Sequence, residues 1–468
     1  MLVPGLSDRR PLRTQPATTL AEIPLTLQPE ALETKQELDA FYQGDIQRLR
    51  GTDRTGEMKI CLDDAHADQR PFKAFLLGHP GVGKTTELSR LSLAVADDFR
   101  PLRLSVISEL NPGTLRFYDV LLLILIRLVH EVSSPTIIGF EDTDLDKMLG
   151  WVREHLSTKW TKHLRIESKE FGAGVTLPFL KLFGNIKQAT TRETGAQEYE
   201  LSFVSELVDL INRVLRESNR LLRKHKGQQW LVILEDFEKI GLAPTLIKDL
   251  FTGLRPSLEG MDGHFVITIP SWLQYSEDAG IILPSNFQTF VIPDIAVYKQ
   301  NHSPDENVIA ALKSVVNSRA RESLFEPGVL DRFCIASGGN LRDLFALIRS
   351  AMLSARLAKA SAISAKDANG AIASLRNDYK QLLGSTGQDS RNITLTEKLD
   401  RLVGIYMRED PTVEVPNPVL YLLLRQRCIL QYNGVGWIGV HPLVVDLLVD
   451  FAKLPDRSPG GAQSGNSL

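Results

Sequence analysis

The residues best suited to chemistry lie together at Gly78-His79-Pro80-Gly81-Val82-Gly83-Lys84-Thr85, followed by Thr86. The spacing is G-x-x-x-x-G-K-T, that of a phosphate-binding loop. Gly81 and Gly83 let the backbone turn tightly and bring its N–H groups onto phosphate oxygens. Lys84 reaches the β- and γ-phosphates of a nucleoside triphosphate, and the Thr85 hydroxyl takes a place on Mg²⁺. Phosphoryl transfer needs a second element, an acid that holds Mg²⁺ and orients water. Leu231-Val232-Ile233-Leu234-Glu235-Asp236 supplies it, four apolar residues ending in two carboxylates. Packing alone gives a buried strand no reason to end in paired acids, because buried acids are costly unless paired or metal-bound.

Both motifs need a scaffold. Phe72 to Leu77 is a short apolar run of strand type, and Glu87 to Leu93 has Leu88 and Leu91 at helical spacing. A strand, a Gly-rich loop and a helix N-terminus form an anion site from backbone dipoles. Leu102 to Ile107 reads as the next strand and Thr114 to Glu131 as a long buried helix. Trp230 to Leu234 and His264 to Ile269 read as buried strands, and Phe287 to Pro293 as an edge strand. This alternation predicts a parallel sheet with helices on both faces, with ligands at the C-terminal edges of its strands.

The rest of the chain reads as follows. Residues 1–29 and 456–468 have tail-like compositions, and a helix is expected from Pro29 to Tyr42. The stretch 151–200 breaks the alternation and reads as an insertion in an ATPase domain spanning 30–298. From Leu201 a helical stripe returns through Val204, Val208, Ile211 and Leu215. Its basic end, Arg213 to Lys226, reads as a solvated face or, less simply, as a polyanion contact. Helices at Asn307–Arg321, Gly328–Ile335, Asn340–Ala360 and Ser364–Leu382 predict a bundle over 299–385. A further unit follows over 386–455. There two helices precede a hairpin whose turn is Asn433-Gly434, and His441-Pro442 opens a last helix.

Composition limits the alternatives. With 43% hydrophobic and 24% charged residues, the 468-residue chain is of globular type, with room for about three domains. A net charge of −3 gives no overall basic field for nucleic acid. Cys61, Cys334 and Cys428 are too scattered for a metal site or disulfide framework, which fits a reducing cytoplasm. No secretory signal is evident, and the apolar run Val120–Ile126 is far short of the ~20 residues that span a bilayer. No membrane partner is expected.

The two motifs together resemble the AAA+ and STAND groups of P-loop ATPases, over roughly residues 40–450. Gly83-Lys84-Thr85-Thr86-Glu87-Leu88-Ser89-Arg90-Leu91 and Phe237-Glu238-Lys239-Ile240 extend the match. Those families usually end the acidic strand in Asp-Asp or Asp-Glu, whereas this chain has Glu235-Asp236. By position, the resemblance makes Glu235 the Mg²⁺-side acid and Asp236 the acid that polarises water. It implies a polar sensor at Thr268, with Ser271 nearby. It also implies a lid helix opening at Ser337-Gly338-Gly339-Asn340-Leu341-Arg342, where Asn340 caps the helix and Arg342 senses the γ-phosphate. An arginine finger for a neighbouring subunit would come from the region of Arg255, with Lys239 and Lys248 as the other basic residues there. The C-terminal unit resembles the winged-helix domain that ends many origin-recognition-type and STAND ATPases.

The expected fold is therefore α/β, a P-loop NTPase parallel sheet with helices on both faces, then a helical lid and a winged-helix-like C-terminal domain. The expected ligands are ATP and Mg²⁺, bound by Gly78, His79, Pro80, Gly81, Val82, Gly83, Lys84, Thr85, Thr86, Thr268 and Arg342. Lys84, Glu235 and Asp236 are the catalytic set, and Thr85, Glu235 and Asp236 the metal set. The function expected is an ATP-hydrolysing switch, in bacterial signalling or phage defence, with a protein partner or self-association. Two alternatives stay open. One is a DNA-transaction ATPase of replication-initiator or transposition-regulator type. The other is a nucleotide-binding scaffold with little turnover. A nucleoside kinase fits the long C-terminal half poorly.

Overall fold

The computed structural model describes residues 14–110, 115–133, 197–239, 244–276, 278–283, 286–384, 393–408, 415–432 and 437–455. The insertion expected at 151–200 falls outside these except for its last four residues, as do the Asn433-Gly434 turn and the segment 456–468.

Five parallel strands form the central sheet: β1 (Lys73–Gly78), β2 (Phe99–Ser105), β3 (Gln229–Glu235), β4 (His264–Pro270) and β5 (Gln288–Val291). Their spatial order is β2-β3-β4-β1-β5. Side chains alternate across a strand, so each strand feeds two cores. Phe75 and Leu77 of β1 join Val232 and Leu234 of β3 on one face. Ala74 and Leu76 join Leu231 and Ile233 on the other. The first face is covered by a helix at Phe117–Ser133 and the long helix Gln197–Lys226, which supplies Leu207, Ile211 and Leu215. A helix at Arg54–Ala67, with Met58 and Leu62, covers the second, beside Leu88 and Leu91 from the helix after the loop, Lys84–Ala94. β1 is flanked by β4 and β5, so the glycine-rich loop leaves the sheet between two strands.

The N-terminal segment departs from the tail expected over 1–29. Ala17, Leu20, Ile23 and Leu27 are buried in the main core, and Ala17 bridges to Ala320. The pattern was unreadable locally because these apolar residues pack on the lid rather than on one another. The helix expected over Pro29–Tyr42 is shorter, Lys35–Phe41, and starts at a Thr34–Glu37 capping box. Glu87 then ties the whole segment to the helix after the loop. Its carboxylate accepts from Tyr42 Oη at 3.2 Å and Thr55 Oγ1 at 2.6 Å.

The bundle follows as helices Glu306–Asn317, Val329–Ala336, Leu341–Leu357 and Ala365–Gly384. The winged-helix unit has helices Leu395–Met407 and Pro418–Arg425, the antiparallel pair β6 (Ile429–Gln431) and β7 (Ile438–Val440), and helix Pro442–Asp450. Helix Pro418–Arg425 is docked on the α/β domain. Tyr421 meets Trp272 edge-on at 5.0 Å, and Gln274 Nε2 donates to Gln431 Oε1 at 2.8 Å. No helix among the described residues is long and apolar enough to cross a membrane.

Candidate nucleotide site

A cavity of about 860 Å³ opens where the loop, the acidic strand end, the N-terminal segment and the lid meet. Gly81, Val82, Gly83, Lys84, Thr85 and Thr86 line it from the loop side. Gly81 (φ +93°) and Gly83 (φ +102°) lie in the left-handed region, which costs an L side chain roughly 1–2 kcal/mol. Lys84 is buried, and its Nζ donates to Gly78 O at 2.8 Å and His79 O at 3.2 Å. The lysine is thus held back over its own loop, at the place where phosphates would sit.

Backbone and side-chain bonds fix the loop to its surroundings. Gly78 ends β1, whose Leu77 O accepts from Ile292 N at 2.9 Å. His79 Nδ1 lies 2.5 Å from Asp294 Oδ2, both side chains buried. Asp294 N in turn donates to Gln431 O at 2.8 Å, so β6 of the winged unit is two residues away from the loop. Burial alone would raise the Asp294 carboxyl, but His79 beside it holds it below the usual range. Pro80 O accepts from Asn340 Nδ2 at 3.0 Å. Val82 O accepts from the buried Arg50 guanidinium. Thr86 Oγ1 accepts from Leu32 N at 3.1 Å, which ties it to the N-terminal segment.

The acids at the end of β3 have separated partners. Glu235 Oε1 accepts from Arg103 Nε at 2.6 Å, and Arg103 also donates to Ser89 Oγ at 2.8 Å. Burial, with Asp236 and Glu238 nearby, pushes the Glu235 carboxyl up against the pull of Arg103. Asp236 has a left-handed backbone (φ 73°) and turns its carboxylate toward β2. Oδ2 accepts from Ser105 Oγ at 2.6 Å and Oδ1 pairs with Lys239 at 2.5 Å. The acid paired with the loop lysine is Glu238, in the 3-10 helix Phe237–Lys239: its Oε1 lies 2.9 Å from Lys84 Nζ. Burial alone would raise the Glu238 carboxyl, but Lys84 beside it holds it below the usual range.

Thr268 does not line the cavity. It is buried behind the acids, where its Oγ1 accepts from Asp236 N at 3.1 Å and donates to Glu238 Oε2 at 3.2 Å. Thr268 lies on β4, between β1 and β3, and its hydroxyl is turned to the two acids. Arg342 does line the cavity, from the first turn of the lid helix, and among the described residues it forms no ion pair. Burial and the neighbouring Arg427 push its pKa down. Asn340 caps that helix, accepting from Arg342 N at 3.1 Å. The basic residues considered for a finger are paired in place: Arg255 with Glu259 at 3.0 Å, Lys239 with Asp236, and Lys248 with Asp278 at 3.1 Å.

The oxygen donors suit a hard cation such as Mg²⁺. Glu235 Oε2 is buried without a hydrogen-bond partner, and Glu235, Asp236 and Thr85 share the cavity wall. Sequence reasoning passed over Arg103, Ser105 and the pairing of Glu238 with Lys84. A signal for Arg103 existed: a lone charge inside the apolar strand Leu102-Arg103-Leu104 must find a buried acid. Asp294 carried no such signal, since its partner His79 is 215 residues away.

No family model matches the chain, and no curated protein matches it. Solved structures do. The Aeropyrum pernix ORC1 protein in complex with DNA is similar over 85% of this chain and 93% of that one, with 12% identity and a TM-score of 0.37. The Aeropyrum pernix ORC2 protein in its ADPNP-ADP complexes is similar over 88% and 99%, with 14% identity and a TM-score of 0.42. CDC6P from Pyrobaculum aerophilum is similar over 92% and 98%, with 15% identity and a TM-score of 0.37. In this chain a parallel sheet with the glycine-rich loop, a helical bundle and a winged-helix-like unit follow one another in that order.

Proposed function

We propose that the chain binds ATP with Mg²⁺ in the cavity between sheet and lid, hydrolyses it, and uses the change of nucleotide to reposition lid and winged helix. The observation that carries this reading is Lys84 Nζ, buried over the loop carbonyls and facing an acid cluster, with Arg342 of the lid on the same cavity wall. Lys84 neutralises the β- and γ-phosphates, the loop amides take their oxygens, and Arg342 answers to the γ-phosphate. Thr85 and Glu235 hold the cation, which when bound offsets phosphate charge. Arg103 orients Glu235 through the bond to its Oε1. The acids beside Thr268 place water. Asp343, next to Arg342, is the ion-pair partner of Arg427 in the winged unit, so a lid movement is felt there directly.

The test is binding of a fluorescent ATP analogue and steady-state hydrolysis by wild type and Lys84→Ala. Loss of both in the variant supports the reading, and equal activity sinks it. The assays are repeated with duplex DNA at low and high salt. DNA transaction is the context we favour over signalling or defence, since one of the similar structures is an ORC1 protein in complex with DNA. A DNA complex would use groups other than Arg427, whose guanidinium is engaged with Asp343 and Tyr379. Hydrolysis and binding unaffected by DNA at low salt would remove that context.

A further inference from the structure

We propose that Glu238, rather than Asp236, is the carboxylate that works directly with Lys84. It is the lysine's counter-ion before nucleotide arrives, and it orients the attacking water once the phosphates have taken the lysine. The inference rests on the ATPase reading above and assigns a role within that site.

The three acids are separated by what holds them. Glu235 is fixed sideways by Arg103, which is itself anchored on Ser89. Asp236 has both oxygens occupied, by Ser105 and Lys239. Only Glu238 pairs with the loop lysine among the described residues. The geometry follows from the chain path. The left-handed backbone at Asp236 ends β3 abruptly, and the 3-10 turn that follows brings residue 238 back over the loop. Thr268, from the neighbouring strand β4, then fixes its second oxygen.

A triphosphate changes the balance of charge around this pair. Its γ-phosphate oxygens attract Lys84 and repel Glu238, so the 2.9 Å pair opens. Thr268 still holds Oε2, so the carboxylate stays in place while Oε1 loses its partner. A buried carboxylate oxygen left unpaired is costly, and a water molecule relieves it. That water lies between Glu238 and the γ-phosphorus. Its oxygen forms a bond to phosphorus as the bond from phosphorus to the β,γ-bridging oxygen breaks. The bridging oxygen keeps that electron pair, and the proton lost by water passes to the Glu238 carboxylate and then to solvent. The same pair explains how the empty site stays neutral around a buried lysine.

Full-length wild type, Glu238→Gln, Glu238→Ala, Asp236→Asn and Thr268→Val are compared. Affinity is measured with a fluorescent ATP analogue, the chemical step by single-turnover hydrolysis across pH, and folding by thermal melting. Glu238→Gln should bind the analogue about tenfold more tightly, because the competing charge is gone, and lose on the order of 10²-fold or more in single-turnover rate. Asp236→Asn should lose less rate than Glu238→Gln. Thr268→Val should lower the rate with affinity unchanged. If Glu238→Gln melts early, Glu238→Ala takes its place with the same expectations. A wild-type rate in folded Glu238 variants, or loss of rate in Asp236→Asn alone, overturns the proposal. If wild type itself does not hydrolyse ATP, the ATPase reading fails. The binding arm then still decides the counter-ion role: tighter binding by Glu238→Gln supports it, and equal or weaker binding overturns it.

Discussion

Gly81→Ala should open the lid without unfolding the sheet. A Cβ at this position would lie 2.4 Å from Asn340 Oδ1 and 2.6 Å from Arg342 Cβ. Asn340 can swing away, but Arg342 Cβ is fixed to the helix backbone, so the first turn of Leu341–Leu357 must retreat. The left-handed φ of +93° adds roughly 1–2 kcal/mol for any L side chain. Displacing Asn340 removes a helix cap worth about 1 kcal/mol. Its bond to Pro80 O adds about 1 kcal/mol. Together these come to roughly 3–4 kcal/mol against the closed state, on the order of 10²–10³-fold in ATP-analogue affinity. Hydrogen exchange should show faster exchange in the lid helix and unchanged protection in β1, β3 and β4. The double variant Gly81→Ala/Asn340→Ala should lose less than the sum of the two single changes, since the cap is removed only once. Affinity within threefold of wild type, at an unchanged melting temperature, would refute the close approach of loop and lid.

Three further outcomes are expected. His79→Ala leaves the Asp294 carboxylate buried without its partner, at a cost of about 3–5 kcal/mol. Urea unfolding measures that loss, and faster proteolysis of the winged unit shows where it falls. Arg342→Ala should weaken binding of a triphosphate analogue while leaving that of the diphosphate nearly unchanged, and an equal effect on both would deny it γ-phosphate contact. His264 and His441 accept hydrogen bonds from Phe72 N and Leu443 N, and burial pushes each from 6.5 down to about 4. Their neutral forms are the stabilising ones, so stability is complete above pH 6.5 and falls toward pH 4, by up to about 3 kcal/mol for each histidine. Melting curves between pH 7 and 4 follow this, and His441→Asn should flatten part of the slope.

Local patterns carried the parts of the fold that are local. The loop and its flanks, the apolar run of β3, the Gly-Gly-Asn turn and the four bundle helices were all legible, because each is fixed by periodicity, capping or glycine placement within a dozen residues. Long-range pairings were not. His79 and Asp294, Arg103 and Glu235, and Ala17 and Ala320 are each joined only by the fold. The order of roles among the acids was illegible for a related reason. Motif position places Glu235 and Asp236 first. The backbone turn after Glu235 decides which carboxylate faces which neighbour, and a sequence pattern contains no dihedral angle.

That turn also bears on the inverted acid pair. With φ at 73°, residue 236 occupies a backbone region that Asp and Asn enter at low cost and longer side chains enter rarely. A glutamate there would carry the strain of the turn and overreach Ser105. Its short neighbour in the alphabet fits both. Glu-then-Asp is therefore the order this backbone selects, so a chain that keeps the turn should accept Asn at 236 and resist Glu. The Glu235-Asp236 order becomes a conformational preference that can be checked by substitution.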